Sequence, residues 1–547
     1  MYSCGNLLDL LAFSLHLEQV VLGNMSRGRL LLDVGWKSGI TALLFGSSRR
    51  IDRQEKFPGK RVLHAINDLN RGWNIPAAVR VLEELSVHDQ SNAVKCLGDL
   101  ALCILAANGS SLCRVMSEPI AASHQVSIRA ELMEKLEKII LDDDWNKALL
   151  WYSVNACAED DPACNDITLW NRPSNIRKLI RLLQVLHNKT ELRYSSPMVN
   201  QGALEVLLEL FQHFHPKNPT ISVLILKILS NIAMESDHCA ESITKSGWMK
   251  TMLFYLNDES EVVQILCKKI FLNLLYSMHQ KETCLGSGLY EFYSTPYCTH
   301  PEIDIVLLHG MRGAAFRTWR QKDDPGKITT QCWPKVWLHN KVRGHIRIVA
   351  VDYPSALYGG DLMENVQSRA KRIADLLKRA GIGDRPVVFI CHSMGGLLAK
   401  QLLIDSPLLR ETTLGVLFMA TPHYGTPIAA EYSYQVLRPS DDMKMLVEGS
   451  EVNRKLHDEF IACEPKVPLL VNVSETLEAP LFRGVKKMLV PSTSSMFHGS
   501  ALYHVPEIHH NVCKPTSPDS LSFRIVAKFI NDALYYARKG SQFEHYC

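Results

Sequence analysis

Six short apolar runs, at 303–308, 346–354, 387–391, 414–420, 467–473 and 487–491, punctuate the second half of the chain. Each is too short for a buried helix and stops at a turn of small or polar residues, which is the pattern of strands buried on both faces. Pro354 ends the second run, because proline cannot donate to a ladder. Between them, 364–377 repeats at helical spacing, with Val366, Ala370, Ile373 and Leu377 on one face, and Gly381 and Gly383 follow. Strand, helix, strand, tight turn, helix predicts a mostly parallel sheet with helices on its faces. A final helix is expected from about 520 to 538.

The first half reads differently. From 54 to 281 the periodicity is helical, and two segments repeat each other. In one, Gly202 precedes an amphipathic stretch and Ser230-Asn231-Ile232 follows; in the other, Gly247 precedes the stretch and Leu272-Asn273-Leu274 follows. Glycine, amphipathic helix and asparagine-bearing helix at this spacing predict an armadillo-like stack offering a surface to a protein partner or to the hydrolase itself. The expected organisation is an N-terminal segment 1–53, an all-α armadillo-like domain 54–281, a linker 282–300 and an α/β-hydrolase domain 301–547. Residues 428–465 separate two core strands by more than a loop requires. Met443, Met445, Leu446, Val452, Leu456, Phe460 and Ile461 would give this insertion amphipathic helices, as a lid over an acyl pocket or as extra cover for the sheet.

Candidate chemistry enters at Cys391-His392-Ser393-Met394-Gly395. An apolar strand, a serine in a small-residue turn and a helix beginning at once form a nucleophile elbow, which exposes the hydroxyl above the sheet. The positions two before and two after the serine must be small so that the backbones can approach; Gly395 satisfies this, and Cys391 stands where the usual pattern has glycine. The strand at 303–308 ends in His309-Gly310-Met311, where a backbone N–H near Gly310 or Met311 would complete an oxyanion hole with the N–H of Met394. A serine needs an imidazole to take its proton, and the imidazole needs a carboxylate to fix its tautomer. Glu475, ending a late strand, and His509, in the final loop, give the order serine, acid, base. His510 is the alternative base, His423 also follows a strand tip, and Glu507 is a rival acid.

These motifs together resemble the serine-active-site-containing protein (SERAC) family, lipase-like α/β-hydrolases related to the GPI-inositol deacylase. The resemblance is carried by His309-Gly310-Met311-Arg312-Gly313, Val351-Asp352-Tyr353-Pro354, His392-Ser393-Met394-Gly395-Gly396, Thr421-Pro422-His423-Tyr424-Gly425-Thr426-Pro427, Glu475-Thr476-Leu477 and His509-His510-Asn511-Val512-Cys513-Lys514-Pro515. It covers about 301 to the last helix and is weaker over the helical half. It implies a glutamate at Glu475 and a histidine at His509 in the catalytic roles. It also implies phosphatidylglycerol remodelling linked to intracellular lipid and cholesterol handling, at membranes of mitochondria and their contacts with the endoplasmic reticulum.

Composition narrows the partners. A net charge of +3 over 547 residues gives no bulk attraction to nucleic acid. Fifteen cysteines without paired CxxC spacing fit neither a disulfide framework nor a zinc site, and a reducing compartment is expected. No metal or organic cofactor is implied. Leu30 to Phe45 is interrupted by Asp33 and Lys37, so no stretch reaches spanning length. The first fifty residues, with several Arg and few acids, hint at mitochondrial targeting or peripheral membrane association. The expectation is a serine hydrolase or transacylase acting on glycerophospholipid esters. The competing expectation is an armadillo-type scaffold whose hydrolase domain is silenced by the Cβ of Cys391.

Overall fold

The computed structural model describes residues 135–139 and 174–544, apart from 280–283, 296–297, 299, 323–329, 356–363, 431–438, 464–466, 481–485 and 498. The expected segment 1–53 and most of the stretch to 173 lie outside the described residues.

The helical half begins with α1 (Ser174–Glu191) and continues as two triplets. The first is α2 (Ser195–Asn200), α3 (Ala203–Phe214) and α4 (Pro219–Glu235); the second is α5 (Asp237–Lys245), α6 (Trp248–Tyr255) and α7 (Glu261–His279). Gly202 and Gly247 occupy the same place in each triplet with left-handed φ of 84° and 82°, a conformation that glycine alone adopts without cost. The two asparagines picked out in the sequence are buried and hold neighbouring layers together. Asn231 donates to Thr190 Oγ1 at 3.1 Å. Asn273 donates to the Ser230 carbonyl at 2.9 Å and exchanges bonds with the backbone of Leu285.

The second half is built on a seven-stranded sheet. In chain order its strands are β1 (Leu289–Ser294), β2 (Ile303–Leu308), β3 (Ile346–Val351), β4 (Val387–His392), β5 (Thr413–Met419), β6 (Leu469–Glu475) and β7 (Ala501–Val505). They lie in the order β1-β3-β2-β4-β5-β6-β7; β1 runs antiparallel to β3 and all other pairs are parallel. Alternate residues go to opposite faces. Ile305, Leu307, Val388, Ile390, Leu417 and Met419 join an apolar core that runs without a break into α1–α7 and α12 (Leu521–Glu544). Val306, Leu308, Phe389, Cys391, Val416 and Phe418 face α8 (Val366–Arg379) and α9 (Gly395–Asp405) on the other side. Asn365 caps α8 by accepting the Ser368 N–H at 2.9 Å.

Three stretches differ from the sequence reading. The segment 282–300, expected as a linker, contains β1, whose Leu289, Tyr290 and Phe292 are buried. The run at 487–491 adds no strand to the seven-stranded sheet; its Lys487 pairs only with Ala479 in a separate two-stranded ribbon. Its Leu489 and Val490 amides turn to a carboxylate, and the sheet is completed instead by β7, whose mixed exposure hid it. The insertion supplies α10 (Asp441–Leu446) and α11 (Glu451–Ala462). Met443, Met445, Leu446, Leu456 and Phe460 are buried in the core above α9, while Val452 and Ile461 are about half exposed. A buried ion pair, Arg369 Nη1 to Asp442 Oδ1 at 2.9 Å, ties α10 to α8. The described part of the insertion therefore packs as cover for the sheet.

Candidate active site

β4 ends in a turn that no ordinary residue enters freely. Ser393 has φ 53°, in the left-handed region, and its N–H is held by the Met419 carbonyl at 2.8 Å. Such strain persists only where the surroundings enforce it. Close approach on both sides explains the neighbours. A Cβ on Gly395 would come within 2.5 Å of the Leu308 carbonyl oxygen and 2.6 Å of that of His309. A Cβ on Gly310 would come within 2.7 Å of Ser393 Cβ. Cys391 meets no such obstacle. It sits in β4 between Leu308 of β2 and Phe418 of β5, fully buried in the apolar core. Burial pushes its thiol well above the usual range, so it is no competing nucleophile.

Three residues far apart in the chain meet here. His509 Nε2 lies 3.0 Å from Ser393 Oγ, and His509 Nδ1 lies 2.6 Å from Glu475 Oε2. All three are buried. Glu475 is fixed through its other oxygen, which accepts the Leu489 N–H at 2.9 Å and the Val490 N–H at 3.0 Å. With Nδ1–H directed at the carboxylate, Nε2 is left as the acceptor facing the serine hydroxyl. This is the arrangement that lets imidazole draw a proton from a hydroxyl.

The rival candidates stand elsewhere. His510 is exposed, its ring edge-on to His509 at 5.5 Å. His423 is buried with Nε2 3.2 Å from Asn472 Oδ1, and burial holds it well below the usual histidine range. Glu507 pairs with Lys322 at 2.7 Å. Gly310 and Met311 lie in the loop after β2, with Gly310 packed against Ser393, and Met394 follows the serine at the start of α9.

Sequence reading assigned no role to His392, although it adjoins the serine. Its Nε2–H donates to the backbone carbonyl of His509 at 3.0 Å and so ties the His509 loop to the elbow. Burial and the neighbouring His509 keep His392 well below its ordinary pKa, hence neutral. The amides of Leu489 and Val490 were also missed, since a backbone donor leaves no mark on composition. Among the described residues no group of three or more His, Cys, Asp or Glu could hold a metal, and no helix is long and apolar enough to cross a membrane.

Against known proteins, the model of the alpha/beta hydrolase family matches residues 305–475, the span from β2 to the end of β6. Protein SERAC1 of Homo sapiens is 31% identical over 360 residues, covering 61% of this chain and 54% of that protein. Protein SERAC1 of Danio rerio is 31% identical over 382 residues, covering 64% and 57%. The chain is similar to the SERAC proteins over these stretches. It spans about half the length of the relatives it matches. Among solved structures, the mature lipase BlEst2 of Bacillus licheniformis is 15% identical, covering 44% of this chain and 97% of that one, with a TM-score of 0.32. The phospholipase PlaB of Legionella pneumophila is 13% identical, covering 44% and 64%, with a TM-score of 0.29. The C-terminal half has the α/β-hydrolase fold, with Ser393 after β4, Glu475 at the end of β6 and His509 in the loop after β7.

Proposed function

We propose that this chain is a serine esterase or transacylase acting on glycerophospholipid esters. The observation that carries it is the strained Ser393 with its hydroxyl 3.0 Å from His509, itself 2.6 Å from buried Glu475. In the first step Ser393 Oγ attacks the ester carbonyl while His509 Nε2 takes the hydroxyl proton. The carbonyl electron pair moves onto oxygen, held by backbone N–H groups of Met394 and of Gly310 or Met311. The intermediate then collapses: the lipid alkoxide leaves, taking the proton from His509, and the acyl group stays on Ser393. Water, or the hydroxyl of a second lipid, next attacks the acyl-serine with His509 again as base. Water gives hydrolysis and the lipid hydroxyl gives remodelling.

Two observations support a lipid. Tyr424 and Leu477 are exposed on the loops that follow β5 and β6, at the C-terminal edge of the sheet that carries Ser393, and offer apolar surface there. Similarity to the SERAC proteins favours phosphatidylglycerol as acyl acceptor or donor, at mitochondrial and endoplasmic reticulum contacts. For the helical half we read the two glycine-led triplets as armadillo-like units open to a protein partner.

Fluorophosphonate labelling of the purified full chain, with S393A and H509A beside it, tests the serine. Labelling that disappears in both variants supports the reading; labelling retained in S393A, or absent from the folded parent in the presence of lipid, sinks it. Turnover of phosphatidylglycerol vesicles against neutral esters then tests the substrate class.

A further inference from the structure

Asp352 is the first residue after β3 and stands between the two halves of the molecule. Its Oδ1 accepts the Ala315 N–H at 3.1 Å and lies 3.5 Å from His309 Nε2, both in the loop that follows β2. Its Oδ2 lies 3.5 Å from Nζ of Lys227, on α4 of the helical half. Burial by itself would raise this carboxyl, yet the Lys227 ammonium and the His309 contact hold it well below the usual range. Lys227 also stands 5.7 Å above the ring of Tyr290 on β1. The long helix of the second triplet repeats the pattern four residues before its asparagine: Lys269 sits 4.6 Å over the same ring and donates to the Gly286 carbonyl. The two repeats thus aim equivalent lysines at the hydrolase, and Lys227 is the one whose ammonium pairs with Asp352 behind the loop beside the serine.

What that loop must hold steady is the orientation of two peptide planes. The Gly310 carbonyl faces Gly313 N–H at 3.0 Å, Ser355 Oγ at 3.2 Å and His309 Nδ1 at 2.8 Å. A trans peptide is planar, so fixing that carbonyl fixes the Met311 N–H on the opposite side. The His309 carbonyl accepts the Tyr353 hydroxyl, which fixes the Gly310 N–H in the same way. Asp352 closes the far end of the loop at Ala315 and touches His309 from outside.

Taking the proposed serine chemistry as the reaction, we propose that Lys227 is a positioning residue for the oxyanion loop, acting across the interface through Asp352. The helical half then contributes to the rate without touching substrate.

The test compares K227M, K227R and K268M in the full chain, alone and with D352N. Lys268 pairs with Glu291 at 2.8 Å across the same interface but does not reach the loop. K227M is expected to lower kcat on a short-chain ester about 10-fold with little change in KM, since misplacing a fixed donor costs the transition state more than ground-state binding. Amide exchange over 310–316 should quicken in K227M, K227R should restore both readouts, and K268M should leave both near the parent. In the D352N background K227M should add nothing further. Unchanged exchange and kcat in K227M would overturn the proposal, and so would an equal effect from K268M or additivity with D352N. A parent that hydrolyses no ester would count against the proposed reaction, while amide exchange would still decide the positioning. If K227M does not fold, K227Q against K227R gives the same comparison.

Discussion

Glu475 and His509 are 2.6 Å apart with both side chains buried, and the second carboxylate oxygen of Glu475 is occupied by two backbone N–H groups. The carboxylate therefore has one orientation open to it. In E475Q the side-chain oxygen can keep the Leu489 and Val490 amides, which turns the NH₂ towards His509 Nδ1 and forces the wrong tautomer. Esterase kcat should fall about 10³- to 10⁴-fold with the fold intact. Parent-like turnover of E475Q, alongside an unchanged melting curve, would remove Glu475 from the mechanism.

Gly310 offers a sharper probe of the loop. An alanine Cβ would sit 2.7 Å from Ser393 Cβ and 3.0 Å from the His392 carbonyl oxygen. G310A should lose at least about 10²-fold in kcat, because either the loop or the serine must move off its position. Steady-state kinetics against the parent decide this.

Cys391 in the glycine position of the elbow raised the expectation of a silenced enzyme. Its Cβ lies in packed strand core with the serine and histidine in hydrogen-bond reach, so no strain waits to be released. C391G should cost about 2 kcal/mol of stability, from the lost side chain and the freer backbone, and give no large gain in activity. Urea titration and ester turnover of the two proteins check both halves; a large gain would favour the scaffold reading.

Lys400 on α9 is fully buried beside His457 Nδ1 at 3.2 Å and the Phe497 ring at 5.0 Å, and burial pulls its pKa down to about 7. Between pH 7 and its ordinary 10.5 the unfolded chain holds the proton that the folded chain has released. Stability from this group therefore rises with pH across that window and is lowest below pH 7. K400M should be more stable than the parent by about 3 kcal/mol near pH 6, the gap closing as the pH approaches 10.5. A gap that does not change with pH would contradict this.

The parallel sheet and the elbow were legible because each rests on a local pattern: a short apolar run, then residues small enough for backbones to touch. The meeting of Ser393, Glu475 and His509 was readable from a similar signal, two of them at strand ends and His509 in the final loop, in the order the fold requires. What escaped was set by distant partners. β1 looked like a linker because Gly286, Gly288 and Pro296 surround it, and only β3 gives its Leu289 and Tyr290 a ladder. The run at 487–491 looked like a strand because nothing local reveals that its amides serve Glu475. Lys227 carried no signal in the sequence, since its partner Asp352 lies 125 positions away.

The place of β1 has a practical meaning for anyone dividing this molecule. A chain begun at residue 301, where the sequence invites a cut, would leave β3 with a bare row of amides and carbonyls along 347–351. It would also uncover the apolar face that Ile305, Leu307, Ile348 and Ala350 now share with the helices. Such an open edge recruits other strands. Clumping of that fragment would then report a missing neighbour, and a hydrolase half meant to stand alone should start ahead of Leu289.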